Sequence, residues 1–318
     1  MLSHDQLRHL LPSLIRTTDF AGLGQKRTGK VRDVYVSDNQ VMLIATDRQS
    51  AFDRLLACVP CKGQVLSQTS AWWFRKTAHL VPNHLIDTPD PNVVRAKPVT
   101  IFPVEFVVRG YLTGVTQTSV WTVYAKGVRE YCGVRLPEGM RRNEKFSEPI
   151  LTPTTKSDTH DEPISPDEII GRGLMTREEW ETVAEMSRKL FTFGQQESAR
   201  RGLLLVDTKY EFGRDRNGQI VVADEIHTPD SSRFWIADTY PARWAANAEP
   251  ENIDKEFFRL WFVKNGDPYG ASPLPPAPEE LVLELASRYI QLFEKITGET
   301  FTPVPGDPIR RMRTNLGL

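Results

Sequence analysis

Two acidic residues in one segment of this sequence point most directly to chemistry. In LVDTKYEFGRDRNGQIVVADE, Asn217-Gly218 is the preferred centre of a two-residue type I′ hairpin turn. That turn predicts Glu211 directly opposite Asp224 on adjacent strands. Opposed residues hold their Cβ atoms about 5 Å apart, and like charges there repel. A cation between them would remove the repulsion. Mg²⁺ suits the task, because it takes hard oxygen ligands, commonly one or two carboxylates completed by substrate phosphates. The competing reading is that Lys209 and nearby arginines neutralise a solvated surface. Strand alternation puts Asp207 and Lys209 on the carboxylate face and turns Val206, Tyr210 and Phe212 to the core.

Phosphate-binding candidates lie elsewhere in the chain. Residues 24–31 read GQKRTGKV, which mimics a P-loop but ends in Val31 where a metal-binding hydroxyl is required. The segment also precedes a strand-like run instead of opening a helix. A Gly-Lys pair starting a hairpin can still cover nucleotide phosphates, with Lys30 and Arg32 on one face of the strand. Arg109, in VVRGYLTG, is suited either to a bidentate phosphate contact or to a structural ion pair. The turn TPDSSRFW brings Ser231, Ser232 and Arg233 together. The six histidines show no metal-ligand spacing, and no nucleophile motif points to covalent catalysis.

The elements that must position these residues can be read from periodicity. GKVRDVYV, SDNQ and VMLIATD form a hairpin signal. QVLSQTSAWWFRKTAHL reads as a helix with Leu66, Trp73 and His79 inward. VTIFPVEFVVRGYLTG is a strand, its start made an edge or bend by Pro103. Residues 136–168, rich in Pro, charge and hydroxyls, read as a long loop and a candidate lid. Thr176 and Glu179 make a capping box before a helix carrying Trp180, Val183, Leu190 and Phe193. A last helix shows Leu281, Leu285, Tyr289, Leu292, Phe293 and Ile296 on one face. The expected architecture is α+β with two lobes: a hairpin-rich lobe at 1–103 and a larger mixed lobe at 104–318.

Composition limits the partners. The formal net charge is −1, so no general field recruits nucleic acid or an anionic membrane. No apolar run approaches the ~20 residues that span a bilayer. The N-terminus lacks a secretory pattern and reads as a short docked helix. Three cysteines, with Cys58 and Cys61 read as small residues of an apolar strand, argue for a reducing compartment, the cytoplasm.

Four segments then carry a family likeness. GKVRDVYV, IFPVEFVVRGYLTG, LVDTKYEFG and DEIHTPDSSRFW resemble, in order, those of the phosphoribosylaminoimidazole-succinocarboxamide synthase (SAICAR synthetase) family. The likeness extends through ATDRQSAFD and FSEPILTPTTKSDTHDEPIS and covers nearly the whole chain. It implies a two-lobed fold related to kinase and ATP-grasp lobes. It also implies a ligase of purine biosynthesis in which ATP phosphorylates carboxyaminoimidazole ribotide and L-aspartate displaces phosphate from the acyl phosphate. Phosphorylation supplies the leaving group that a carboxylate lacks.

Carried over by motif, Glu211 and Asp224 become Mg²⁺ ligands. Lys30, with Arg32 beside it, becomes a nucleotide-phosphate contact, and Glu105 lies in the adenine segment. Arg109 and Arg233 become clamps on the ribotide phosphate, next to Ser232. Asp53 and Lys156 sit in motifs lining the ribotide and aspartate sites, and Lys209 and Asp53 are the expected catalytic residues. The chain departs from the family after Thr113-Gly114, where Val115 replaces the usual serine. Thr116, Thr118 or Ser119 must supply that hydroxyl, with Ser119 the expected substrate contact. A small-molecule kinase on a related fold is the alternative reading.

Overall fold

Alternation builds the central strand. In Thr100–Leu112, Val104, Phe106 and Val108 are fully buried in the main core, while Glu105, Val107 and Arg109 face the opposite side. The computed structural model, which describes residues 2–156 and 162–318, pairs this strand on one side with Glu144–Leu151 and Thr154–Thr155. On its other side lies Leu203–Arg214, which continues to Ile220–Ala223 and also pairs with Ser232–Ile236. These six antiparallel strands form the larger sheet. Pro103 lies inside the long strand, not at an edge, where the register with Leu203–Arg214 is irregular. A bulge tolerates the missing N–H there.

The helix Arg177–Ala199 covers the core face of this sheet, with Trp180, Val183 and Leu190 buried. Its capping box is formed: the Thr176 hydroxyl accepts from Glu179 N, and Glu179 accepts from Thr176 N at 2.9 Å. The segment read as a long loop is more regular than expected. It contributes Glu144–Leu151 to the sheet and a helix at Pro166–Gly171 with its own Ser165–Glu168 capping box. Sheet pairing supplies backbone partners that local composition does not reveal. The middle of the expected lid, residues 157–161, lies outside the described residues.

A second, five-stranded antiparallel sheet precedes it. Its order is Gln25–Thr28, Arg32–Val36, Val41–Ala45, Val93–Ala96 and Leu85–Asp90. The helix Lys62–Thr77 buries Leu66 and Trp73, as its spacing predicts. His79 is a correction: it falls after the helix, is exposed, and meets the ring of Phe193 edge-on. The helix Glu279–Thr297 packs along Lys62–Thr77, and Pro308–Leu316 packs against Leu85–Asp90. The last helices therefore return to the first sheet. The two sheets are joined where Val222 N donates to Pro82 O at 3.0 Å and His84 N donates to Val222 O at 3.2 Å.

Gly63, in the first turn of Lys62–Thr77, shows how closely these layers approach. A Cβ there would lie 2.3 Å from Ala45 O and 2.5 Å from Asn92 Nδ2. Neither a strand carbonyl nor a buried amide can yield cheaply. Gly63→Ala is expected to lower unfolding free energy by about 2 kcal/mol, in the range for overpacking. Urea denaturation followed by tryptophan fluorescence measures it.

Candidate functional site

Between the two sheets lies a cleft of ≈ 740 Å³. Every candidate residue from the sequence lines it: Lys30, Arg32, Asp53, Glu105, Arg109, Ser119, Lys156, Lys209, Glu211, Asp224, Ser232 and Arg233. They come from at least six separate stretches, so only the fold unites them.

The acidic hairpin differs in register from the expectation. Glu211 stands opposite Ala223, not Asp224, and Arg214 pairs with Ile220. The turn is one residue longer because Asp215 folds back on it: its Oδ1 accepts from Asn217 N at 2.9 Å and Gln219 N at 3.0 Å. Gly218, at φ +78°, closes a three-residue loop of the bulged kind. A slip of one residue should send Asp224 to the wrong face. It does not, because Asp224 lies just past the strand at φ +61°, a conformation that Asp tolerates better than most residues. That twist brings its carboxylate to Arg32, whose Nη1 donates to Asp224 Oδ1 at 2.7 Å. The other arm of Arg32 lies 2.6 Å from Glu225.

The true opposed pair of like charges is Glu211 and Glu105, cross-strand partners between the two longest strands. Lys209 settles their repulsion, donating to Glu105 at 2.8 Å and Glu211 at 2.7 Å. Lys156 also contacts Glu211. Burial opposes charge on Glu211, but Lys209 and Lys156 outweigh it and pull its pKa down to about 2. Burial likewise opposes the charge on Lys209, yet Glu211 and Glu105 hold its pKa well above the usual value. Both therefore stay ionised at neutral pH.

At the other end, Asp207 sits between two arginines. It is the cross-strand partner of both Arg109 and Arg233, and accepts from Arg109 Nη1 at 3.3 Å and Arg233 Nη1 at 2.6 Å. Arg109 also donates to Thr152 Oγ1 at 2.8 Å. One carboxylate thus orients two guanidiniums, and Glu256 lies 3.3 Å from the Nε of Arg233. Ser119 caps the helix Val120–Ala125 and packs on Gly114. A Cβ on Gly114 would lie 2.5 Å from Ser119 Cβ and 3.4 Å from Arg233 Nη2, and its φ of +110° also favours glycine. Thr116 and Thr118 line the cleft as well. Ser232 donates to Thr208 Oγ1 at 2.7 Å. Lys30 contacts Asp53, in a hairpin turn where Phe52 and Asp53 both take positive φ.

Sequence reasoning missed several cleft-side groups. Lys62, fully buried, lies 2.6 Å from Asp230, which also accepts from Tyr289 OH at 2.6 Å. Asp254, Lys255 and Arg259 enter from the start of the helix Glu256–Asn265. The only local sign was the i, i+4 spacing of Lys255 and Arg259.

The fit for Mg²⁺ can be judged from the donors. Among the described residues no group of three or more His, Cys, Asp or Glu side chains is placed to hold a metal alone. Glu211 and Asp224 supply two hard carboxylates in one cleft, leaving other positions for phosphate oxygens and water. Carboxylates of this kind suit Mg²⁺ as donors, and here Lys209 and Lys156 hold Glu211 while Arg32 holds Asp224.

A two-sheet cleft with clustered carboxylates at one end and two arginines on one aspartate at the other is a charge-lined site suited to small anionic ligands. The sequence profile of the SAICAR synthetase family matches residues 25–274. A phosphoribosylaminoimidazole-succinocarboxamide synthase of Legionella pneumophila is 60% identical over 278 residues, 87% of this chain and 89% of the relative. A SAICAR synthase from Saccharomyces cerevisiae, solved in complex with SAICAR, has a TM-score of 0.77 at 30% identity, covering 91% of this chain and all of that one. A type-2 SAICAR synthetase in complex with ADP has a TM-score of 0.67 at 26% identity, covering 87% of this chain and all of the other. The chain belongs to the SAICAR synthetase family, and with it to the ATP-dependent ligases of purine biosynthesis.

Proposed function

We propose that this cleft joins carboxyaminoimidazole ribotide to L-aspartate through an acyl phosphate, with ATP as the phosphoryl donor. The observation that carries the reading is the placement of Glu211 and Asp224 in the same cleft as the Arg109–Asp207–Arg233 clamp. In this reading Arg109 and Arg233 grip the ribotide phosphate, with Ser119 and Ser232 as hydroxyl donors. Ser119 is preferred over Thr116 and Thr118 because it packs on Gly114 close to Arg233. Lys30 and Arg32 face the nucleotide phosphates, and Glu105 borders the base.

Glu211 and Asp224 would hold Mg²⁺, which when bound neutralises and orients the terminal phosphates. Lys209 is a fixed charge and not a proton acceptor, since its carboxylate partners keep it protonated. It holds Glu105 and Glu211 in place and adds positive potential where the phosphoryl group moves. Asp53 and Lys156 are the remaining contacts, Asp53 at a hairpin tip and Lys156 on Glu211. Catalysis is then chiefly positioning and electrostatics.

The division into an ATP-covering lobe at 1–103 and a substrate and metal-binding lobe at 104–318 belongs to the same reading. The change of sheet between Ala96 and Thr100 supports it. A cytoplasmic setting is supported by three free thiols. Burial pushes the Cys61 thiol up to about 12, so it is inert. Among the described residues no helix is long and apolar enough to cross a membrane.

The test is steady-state release of ADP from ATP with the carboxylated ribotide. Release is expected to require L-aspartate and to yield phosphate and an amide in equal amounts. Turnover without aspartate, leaving a phosphorylated product, would mark a kinase instead.

A further inference from the structure

Asp224 is not held by the sheet. It follows the last residue of the strand Ile220–Ala223, in a loop where Asp224 and His227 both take positive φ, +61° and +50°. A residue other than glycine stays in that region only when its surroundings fix it there. On one side of Asp224, Val222 is bonded to Pro82 and His84. On the other, Ile226 N donates to Ser70 Oγ at 3.3 Å, and His227 turns into the core.

The His227 ring is fully buried, and its Nε2 lies 2.5 Å from the hydroxyl of Tyr210. Trp73 meets the ring edge-on, with centroids 4.6 Å apart. The helix Arg177–Ala199 passes so close that a Cβ on Gly194 would lie 2.4 Å from His227 Cε1. The imidazole therefore has no room to turn away. Tyr210 is also fully buried, and it is the residue before Glu211, pointing to the opposite face of the same strand. One bond beneath the sheet thus ties the neighbour of one proposed metal carboxylate to the loop that carries the other.

Stability does not explain the pair. Burial lowers the pKa of His227 to about 3, so the ring is neutral and carries a single N–H. The pair then has two polar hydrogens, that N–H and the Tyr210 O–H, and only one of them can serve the bond between them. Nδ1 is buried and has no partner among the described residues. Either the Nδ1 hydrogen or the hydroxyl hydrogen is left over, which costs free energy that an apolar pair of the same shape would avoid.

We propose that His227 and Tyr210 are positioning residues, whose bond sets the separation of Glu211 and Asp224 for a nucleotide-bound divalent cation. The inference rests on the metal reading of those two carboxylates and names the side chains that keep them in place.

The experiment uses the full chain with Tyr210→Phe, His227→Phe and the two combined. Binding of Mn²⁺ in the presence of ADP is read from the spin-resonance signal of the free ion, beside steady-state ADP release and a thermal melt. Each single variant is expected to weaken Mn²⁺ binding and to lower kcat about tenfold, the low end for losing a partner that orients metal ligands. The double variant should lose no more than either single one, because both remove the same bond. The KM values for ribotide and aspartate should stay within about twofold, and the double variant should melt no lower than wild type. A purely structural role would not separate metal binding from stability in this way. Wild-type Mn²⁺ affinity in folded Tyr210→Phe, or a loss that appears only where the melt falls, would overturn the proposal. Tyr210→Phe decides alone if the larger ring at position 227 does not fold. Wild-type enzyme that binds no Mn²⁺ with ADP would instead remove the metal reading itself.

Discussion

Asp224→Asn is expected to cut turnover by about three orders of magnitude while leaving the fold intact. The substitution keeps the shape of the side chain and removes its negative charge, and so the hard anionic ligand that the proposed Mg²⁺ would require. Stability should survive, because Arg32 retains Glu225 at 2.6 Å. The strained backbone at φ +61° is also one that Asn accepts as readily as Asp. Steady-state ADP release across a Mg²⁺ titration, with a thermal melt on the same sample, separates the two effects. Full activity in a folded variant would exclude Asp224 from the metal and return it to a simple partner of Arg32. Glu211 offers no equally clean test, since its loss removes the Lys156 contact and leaves Lys209 with Glu105 alone.

The second large effect concerns stability. Lys62→Met should lower unfolding free energy by about 3–5 kcal/mol, the range for removing one partner of a buried ion pair. Lys62 is fully buried and only 4% of the Asp230 side chain is exposed, so solvent cannot take the place of the lost ammonium. Burial disfavours the charged form of Asp230, but Lys255 and Lys62 outweigh it and hold its pKa below the ordinary carboxylate range. A depressed folded-state pKa means that this contribution is complete at neutral pH. It fades only as acid takes the pH below the usual carboxylate range. Denaturant melts at pH 7 measure the loss. Combining Lys62→Met with Asp230→Asn should recover part of it, because the unpaired charge is the costly element. A single variant as stable as wild type would show that Tyr289 and Lys255 suffice.

Much of this molecule was legible in one dimension because alternation and caps act locally. The face carrying Lys209 and Glu211, the buried Tyr210 and Phe212, and the Thr176 capping box follow from spacing, whereas an irregular register between Leu205 and Asp207 puts Val206 in a separate cluster with Tyr111 and Trp235. The hairpin register was not legible, because one side chain, Asp215, decides it by capturing two backbone N–H groups. Nor could it be seen that Glu105, 106 positions before Glu211, is its opposed carboxylate, since that depends on which strands meet. The Lys62–Asp230 pair spans 168 positions and leaves no periodic trace. The helix Glu256–Asn265 was likewise unread, although its Lys255–Arg259 spacing was visible. Residues that do chemistry here announce themselves by type, and their partners do so only by topology.

The bond from Tyr289 to Asp230 has a consequence for biosynthesis of the protein. Asp230 belongs to the loop before the Arg233 strand, and the hydroxyl that steadies it arrives 59 residues later on a helix packed against Lys62–Thr77. A chain emerging from the ribosome can form both sheets and still lack this brace. The pocket wall is completed only after translation has passed Tyr289, and the same helix supplies much of the core against Lys62–Thr77, so chains ending before it should not turn over.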